Sequence, residues 1–221
     1  MIWLFRHSET EWSRSGRHTS LTDLPLTEEG ARMARALAPV IAGRRFCAVL
    51  TSPLRRARET CDLVGLGAQA SVEPALLEWN YGQYEGITTA EIKRTRPDWD
   101  LWRHGCPGGE SLEDVAGRAR GVVQRLLHEH GQEAERQHGT AAAGGAGGAG
   151  QMPQERRSPD VAVFSHGHFL RALVAVWLEL PASRGRSFGL HADSVSILGF
   201  EHGNPVVWSW DWTEHLLSGG H

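Results

Sequence analysis

A short apolar run, Ile2-Trp3-Leu4-Phe5, ends on the charged pair Arg6-His7 and passes into Ser8-Glu9-Thr10-Glu11-Trp12, a polar stretch that reads as a loop. In open α/β sheets the carboxyl ends of strands are where ligands bind, so a cation and an imidazole there constrain the whole chain. The pattern recurs. Phe46-Cys47-Ala48-Val49-Leu50 runs into Thr51-Ser52-Pro53-Leu54-Arg55-Arg56-Ala57. Ser52 suits an N-cap and Pro53 a first helical turn, predicting a helix over 53–64. Two arginines then stand in its first turn, where the helix dipole disfavours cations. Val161-Ala162-Val163-Phe164 gives way to Ser165-His166-Gly167-His168 and an apolar helix, 168–178. Strand ends that present Arg, His, Arg and His describe one anion pocket, with phosphate as its natural occupant.

The chain as a whole fits one folded unit. Its 221 residues can bury a substantial core, and a single domain over 1–221 is expected. A formal net charge of −3 gives no global basic field, so no nucleic-acid partner is expected. No apolar run reaches the length of a membrane span. Cys47, Cys61 and Cys106 are an odd number without metal-ligand spacing and fit a reduced, cytoplasmic protein. Cys47 and Cys61 are expected in the core. The chain begins directly with a strand, and no signal peptide is expected.

Hydrophobic periodicity outlines the elements. A helix follows Thr27, with Glu28 and Glu29 in its first turn and Met33, Ala34, Leu37 and Ile41 at helical spacing. Val115, Val122, Val123, Leu126 and Leu127 predict another helix over about 111–129. Residues 194–200 alternate as a strand, and Gly203-Asn204-Pro205 turns into an edge strand over 206–210. Strands separated by helices imply a largely parallel sheet. Residues 131–158 contain a run of glycine and alanine with no side chain able to build a core, and read as a disordered insertion. Joining a helix end to a strand start, that insertion should emerge opposite the strand carboxyl ends.

Five blocks, in order, carry a family resemblance: Arg6-His7-Ser8-Glu9-Thr10-Glu11-Trp12, Leu24-Pro25-Leu26-Thr27-Glu28-Glu29-Gly30, Thr51 to Ala57, Leu77-Glu78-Trp79-Asn80-Tyr81-Gly82, and Phe164-Ser165-His166-Gly167. Together they resemble the histidine phosphatase superfamily, the phosphoglycerate mutase-like group, over nearly the whole chain except the insertion. The resemblance implies an α/β three-layer sandwich with a mostly parallel central sheet flanked by helices. Tyr81-Gly82-Gln83-Tyr84-Glu85-Gly86 and Cys106-Pro107-Gly108-Gly109-Glu110-Ser111 are most similar to phosphatase branches, some of which act on sugar phosphates, including sedoheptulose bisphosphate.

Phosphoryl transfer from an ester needs a nucleophile in line with the leaving oxygen, cations for the equatorial oxygens and a proton for the leaving group. His7 is the expected nucleophile, because a neutral imidazole attacks near pH 7, with its other nitrogen oriented by a backbone carbonyl. Arg6 and Arg56 offer planar forks to the phosphate, Arg56 matching the family arginine because Ala57 follows it. His166 is expected to donate to the same phosphate, and Gly167 to let the helix backbone approach it. Glu78, among apolar and aromatic neighbours that raise a carboxyl pKa, is the expected general acid. Glu9 and Glu85 are weaker candidates, and Glu9 is better suited to fixing the loop. Ser13, Thr19, Ser20 and Tyr81 are the expected substrate contacts. Ser8 stands where the family pattern has glycine, and Ser13 where it often has asparagine.

His168 is expected at the pocket rim, with His18, His104 and His191 as candidates for its mouth. Arg17, Arg94, Arg96 and Arg103 are candidates for a second phosphate. No metal site and no cofactor are expected. The combined reading is a phosphatase of small phosphomonoesters, sugar phosphates or related metabolites, working through phosphohistidine. A phosphoglycerate mutase is the rival enzyme, and a non-catalytic phospho-ligand binding protein the rival outside catalysis. The expected partner is a small phosphorylated molecule, and a homodimer stays open as the assembly.

Overall fold

A computed structural model describes residues 1–141 and 160–214. Six strands form one sheet, in the order β3-β2-β4-β1-β5-β6. They are β1 (Ile2–Arg6), β2 (Phe46–Thr51), β3 (Ala70–Val72), β4 (Asp160–Ser165), β5 (Val195–Glu201) and β6 (Asn204–Trp212). β1, β2, β3 and β4 run parallel, and β5 and β6 close one side as an antiparallel hairpin. The mostly parallel α/β sandwich expected from the sequence is the fold observed.

The alternation of β1 assigns its side chains to two cores. Trp3 and Phe5 face α2 (Glu28–Ile41) and α3 (Arg55–Val64), packing with Leu37, Ile41, Cys61 and Val64. Ile2 and Leu4 face α6 (Leu112–Ala141) and α7 (Gly167–Trp177), packing with Val122, Leu126, Phe169 and Leu173. The central strands are tied face to face as well as by their ladder. Phe5 and Phe164, paired in register, stack with ring centroids 4.4 Å apart. Full burial of each such side chain stabilises the fold by about 1.5–3 kcal/mol.

Several local expectations are corrected. Glu11–Ser15 is a short helix, α1, inside the stretch read as loop; Thr10 caps it by accepting from the Ser13 backbone, with Ser13 Oγ accepting from the Thr10 N–H in return. α3 begins at Arg55, so Ser52 and Pro53 lie outside it, and Leu54 gives no side-chain cap. The Ser52 hydroxyl accepts from His166 Nε2 at 2.8 Å and from the Leu54 N–H at 3.4 Å, ahead of the helix. α6 runs to Ala141, well beyond the expected 129, because Glu, Gln, Ala and Arg beyond that point are good helix formers. The expected insertion at 131–158 therefore overlaps helix at its start, and its remainder falls outside the described residues. The hairpin turns on His202 and Gly203, both at positive φ, and Pro205 sits within edge strand β6. Cys47 is exposed, not in the core, because a register shift between Phe46 and Ala48 leaves it out of the ladder. Two shorter helices, α4 (Thr89–Thr95) and α5 (Leu101–His104), occupy the segment between β3 and α6.

Candidate active site

β4 lies between β1 and β2, so the three motif-bearing strand ends are neighbours. Ladder bonds continue past them: the His7 N–H donates to Ser165 O at 3.0 Å and the Ser52 N–H to Phe164 O at 2.9 Å. His7, Ser52 and His166 are thereby drawn together, and the rings of His7 and His166 stand 5.2 Å apart. A cavity of about 260 Å³ opens at this edge. Its lining includes the expected Arg6, His7, Ser13, Thr19, Glu78, Tyr81 and Gly167.

His7 is only 5 % exposed, and its Nδ1 lies 2.8 Å from the Ser8 carbonyl oxygen. That acceptor requires the proton on Nδ1, which leaves the lone pair on Nε2. Burial, with Arg56 and Arg6 nearby, holds the imidazole well below its ordinary pKa. Arg6 donates through Nη1 to Leu190 O, while its buried Nε has no partner. Burial lowers its pKa, opposed by Glu78. A Cβ on Gly167 would stand 3.2 Å from Arg6 Cζ, so this glycine admits the guanidinium rather than only a ligand.

Glu78 is not walled by apolar groups alone. Its Oε1 accepts from the Trp79 and Phe169 N–H groups at 2.9 and 2.8 Å, and its Oε2 from His168 N–H at 3.0 Å. His166 begins α7 without a side-chain cap, and the carboxylate from the distant 77–82 loop fills that place.

Three expected residues lie behind the cavity wall. Arg56 is fully buried and donates to the carbonyls of Thr19, Ser20 and Thr22, so it grips the first loop. Its Nε also donates to His166 Nδ1 at 3.2 Å, which leaves His166 Nε2 to donate to Ser52 Oγ at 2.8 Å. Both ring nitrogens of His166 are thus engaged within the protein. Burial, then Arg56, keeps this histidine well below its ordinary pKa. Ser20 is buried too, its hydroxyl donating to Glu85 at 2.5 Å. Glu85 also accepts from the Ser20 and Thr22 N–H groups and acts as a loop clamp. Glu9 fixes α2, accepting from the Thr27 hydroxyl at 2.8 Å. Ser13 does line the cavity, yet its hydroxyl donates to Thr10 O at 3.1 Å within the α1 cap.

The outer wall gathers Arg17, His18, Thr89, His168 and Arg171. Arg17 and His18 are brought there by pairing of their backbone with Ile87 and Thr88. Tyr81 OH lies 2.6 Å from His168 Nδ1. Burial pushes the tyrosine well above its ordinary pKa and the histidine well below, so the phenol donates and His168 Nε2 keeps its proton. Arg171 packs over Trp102 at 5.1 Å and donates to Gly185 O and Arg186 O. It was missed from the sequence, although a lone arginine in an otherwise apolar helix, one turn after Gly167, is a usable signal. Arg94, Arg96, Arg103, His104 and His191 do not line the cavity; His104 accepts from the Asp100 N–H, and His191 pairs with Asp211. Among the described residues, no group of three or more His, Cys, Asp or Glu side chains is placed to hold a metal ion.

The chain is similar to known proteins along most of its length. The family model of the histidine phosphatase superfamily, branch 1, matches residues 2–144 and 145–213. An acid phosphatase of Mycobacterium tuberculosis is 38% identical over 204 residues, covering 91% of this chain and 87% of the relative. Sedoheptulose 1,7-bisphosphatase of Saccharomyces cerevisiae is 34% identical, covering 80% of this chain and 67% of the relative. A solved open-reading-frame product of Mycobacterium tuberculosis superposes with a TM-score of 0.79 at 36% identity, covering 96% of this chain and 97% of that one.

Proposed function

Because the chain belongs to the histidine phosphatase superfamily, branch 1, we propose that it is a phosphatase of small phosphomonoesters working through phosphohistidine at His7. The observation that carries this reading is the His7 imidazole, buried and held neutral with its Nδ1 proton on Ser8 O, in one cavity with Arg6 and Glu78. Nε2 attacks phosphorus as the P–O bond to the substrate breaks, and the leaving oxygen takes a proton from Glu78. Water then attacks the phosphohistidine, giving its proton to Glu78, and phosphate departs with the imidazole restored. Oε2 of Glu78, with one N–H donor against two on Oε1, is the oxygen left to carry that proton.

Arg6 lines the cavity beside His7, and its guanidinium charge favours the phosphoryl oxygens there. Arg56 and His166 act from behind, holding the first loop and the α7 entrance in place. Sugar phosphates are the proposed substrate class, supported by the likeness to a sedoheptulose bisphosphatase and an acid phosphatase. The mechanism uses side chains only and needs no metal. The cytoplasm is the proposed compartment, supported by the buried thiols Cys61 and Cys106, which form no disulfide; no helix among the described residues is long and apolar enough to cross a membrane.

The test is phosphate release from sugar phosphates, sugar bisphosphates, phosphoglycerates and p-nitrophenyl phosphate, with EDTA present and His7→Ala as control. EDTA-resistant, His7-dependent release is expected. Interconversion of 2- and 3-phosphoglycerate with little free phosphate would make the chain a mutase instead.

A further inference from the structure

Among the described residues, the orientation of His7 is set by one acceptor, the Ser8 carbonyl. What holds that carbonyl is a set of contacts on every other polar atom of Ser8. Its N–H donates to Thr60 Oγ1 at 3.0 Å, and its hydroxyl donates to the Asp193 carboxylate. Asp193 grips the neighbouring residue as well, its own N–H donating to the His7 carbonyl at 3.3 Å. Ser8, Thr60 and Asp193 are all completely buried, and Asp193 adopts φ +61°, a left-handed conformation unusual for a non-glycine residue. Thr60 in turn donates to Arg56 O, so the end of β1, the entry to β5 and the first turns of α3 meet at one serine.

Resting on the reading of His7 as nucleophile, we propose that Ser8 and Asp193 are a positioning pair for it. The pair fixes the Ser8 peptide, and the peptide fixes the ring rotation and tautomer that put the lone pair on Nε2. Neither residue lines the cavity, and both are completely buried. Without the hydroxyl, the His7–Ser8 peptide keeps its ties to Thr60 and to the Asp193 N–H. The Ser8–Glu9 peptide, which carries the orienting carbonyl, loses its side-chain anchor and can rotate, and the imidazole loses its fixed line of attack. In-line transfer is steeply sensitive to such misplacement.

The test uses the full chain with 15N-labelled histidine, His7→Gln assigning the His7 ring signals. The parent should show a protonated Nδ1 and a pyridine-type Nε2, and Ser8→Ala should move both towards averaged values. In rapid-quench measurements with p-nitrophenyl phosphate, Ser8→Ala should slow phosphoenzyme formation by about tenfold while inhibition by inorganic phosphate stays within about twofold. Asp193→Asn, which keeps an acceptor oxygen and tolerates positive φ, should stay within about threefold of the parent. A purely structural role would lower Tm and leave the folded enzyme's ring signals and phosphorylation rate alone. Folded Ser8→Ala with parental ring signals and rate overturns the proposal; if that variant does not fold, Ser8→Gly is judged by the same criteria. A parent that forms no phosphoenzyme would sink the phosphohistidine reading, and the ring signals alone would then decide the pair.

Discussion

The floor of the cavity and its outer wall are built on different principles. On the floor and directly behind it, His7, Glu78, Arg56 and His166 are buried, and each is held by backbone groups or by another of the four. The wall is made of Arg17, His18, Thr89 and Arg171, more open to solvent and contributed by loops and helices that meet only through long-range pairing. A floor locked in this way suits a reaction that tolerates little misplacement. The wall suits the remote part of a substrate, where contacts alter binding more than chemistry.

Substitutions should separate the two regions by size of effect. His7→Ala should reduce phosphatase turnover to background, a loss on the order of 10³-fold or more, in a steady-state phosphate-release assay. Glu78→Gln should cost about 10²-fold on sugar phosphates and much less on p-nitrophenyl phosphate, whose leaving group needs little protonation. Equal losses on both would remove Glu78 from the acid role.

Acid should strain the floor next. His7 and His166 sit well below their ordinary pKa because they are buried, whereas the unfolded chain takes up protons near pH 6.5. Their neutral burial is costless above that pH, and stability falls as pH drops through it towards the folded values. Thermal melts should therefore show a lower Tm at pH 5.5 than at pH 7.5; an unchanged Tm would contradict the burial of two neutral imidazoles.

The wall should respond more gently. Arg17→Ala, which removes a side chain donating to Gly86 O at 2.8 Å, should raise KM several-fold, on the order of 1 kcal/mol of binding, with kcat nearly unchanged. A fall in kcat larger than the rise in KM would mean that the wall takes part in chemistry. Deleting 139–150 should have the smallest effect, activity within about twofold. The flanking strand β4 starts at Asp160, at the opposite end from His166.

The same division governs what could be read from the sequence. His7, Arg56 and His166 were legible because each follows an apolar strand, and a cation or imidazole there breaks the pattern visibly; Glu78 was legible through the family resemblance of its block. Their partners were not: nothing local says that Arg56 spends its fork on Thr19, Ser20 and Thr22, or that Ser20 belongs to Glu85. Ser52 looked like a helix cap by local chemistry and is instead the partner of His166, a contact across 114 positions. β3 escaped notice because three residues, two of them exposed, carry no alternation. α1 escaped because its five residues bury nothing and depend on the Thr10–Ser13 cap. Arg171 was hidden in plain view within an apolar helix, its role visible only once α7 is seen to start at the cavity.

The most direct test of the account is to find where the phosphoryl group rests during turnover. The chain would be mixed briefly with substrate, quenched in alkali to preserve phosphohistidine, and its amino-terminal peptide sequenced by mass spectrometry. A single phosphoryl group on His7, absent from His7→Ala, is the predicted result. Continuing turnover with no label on His7, or with the label on another side chain, would contradict the account.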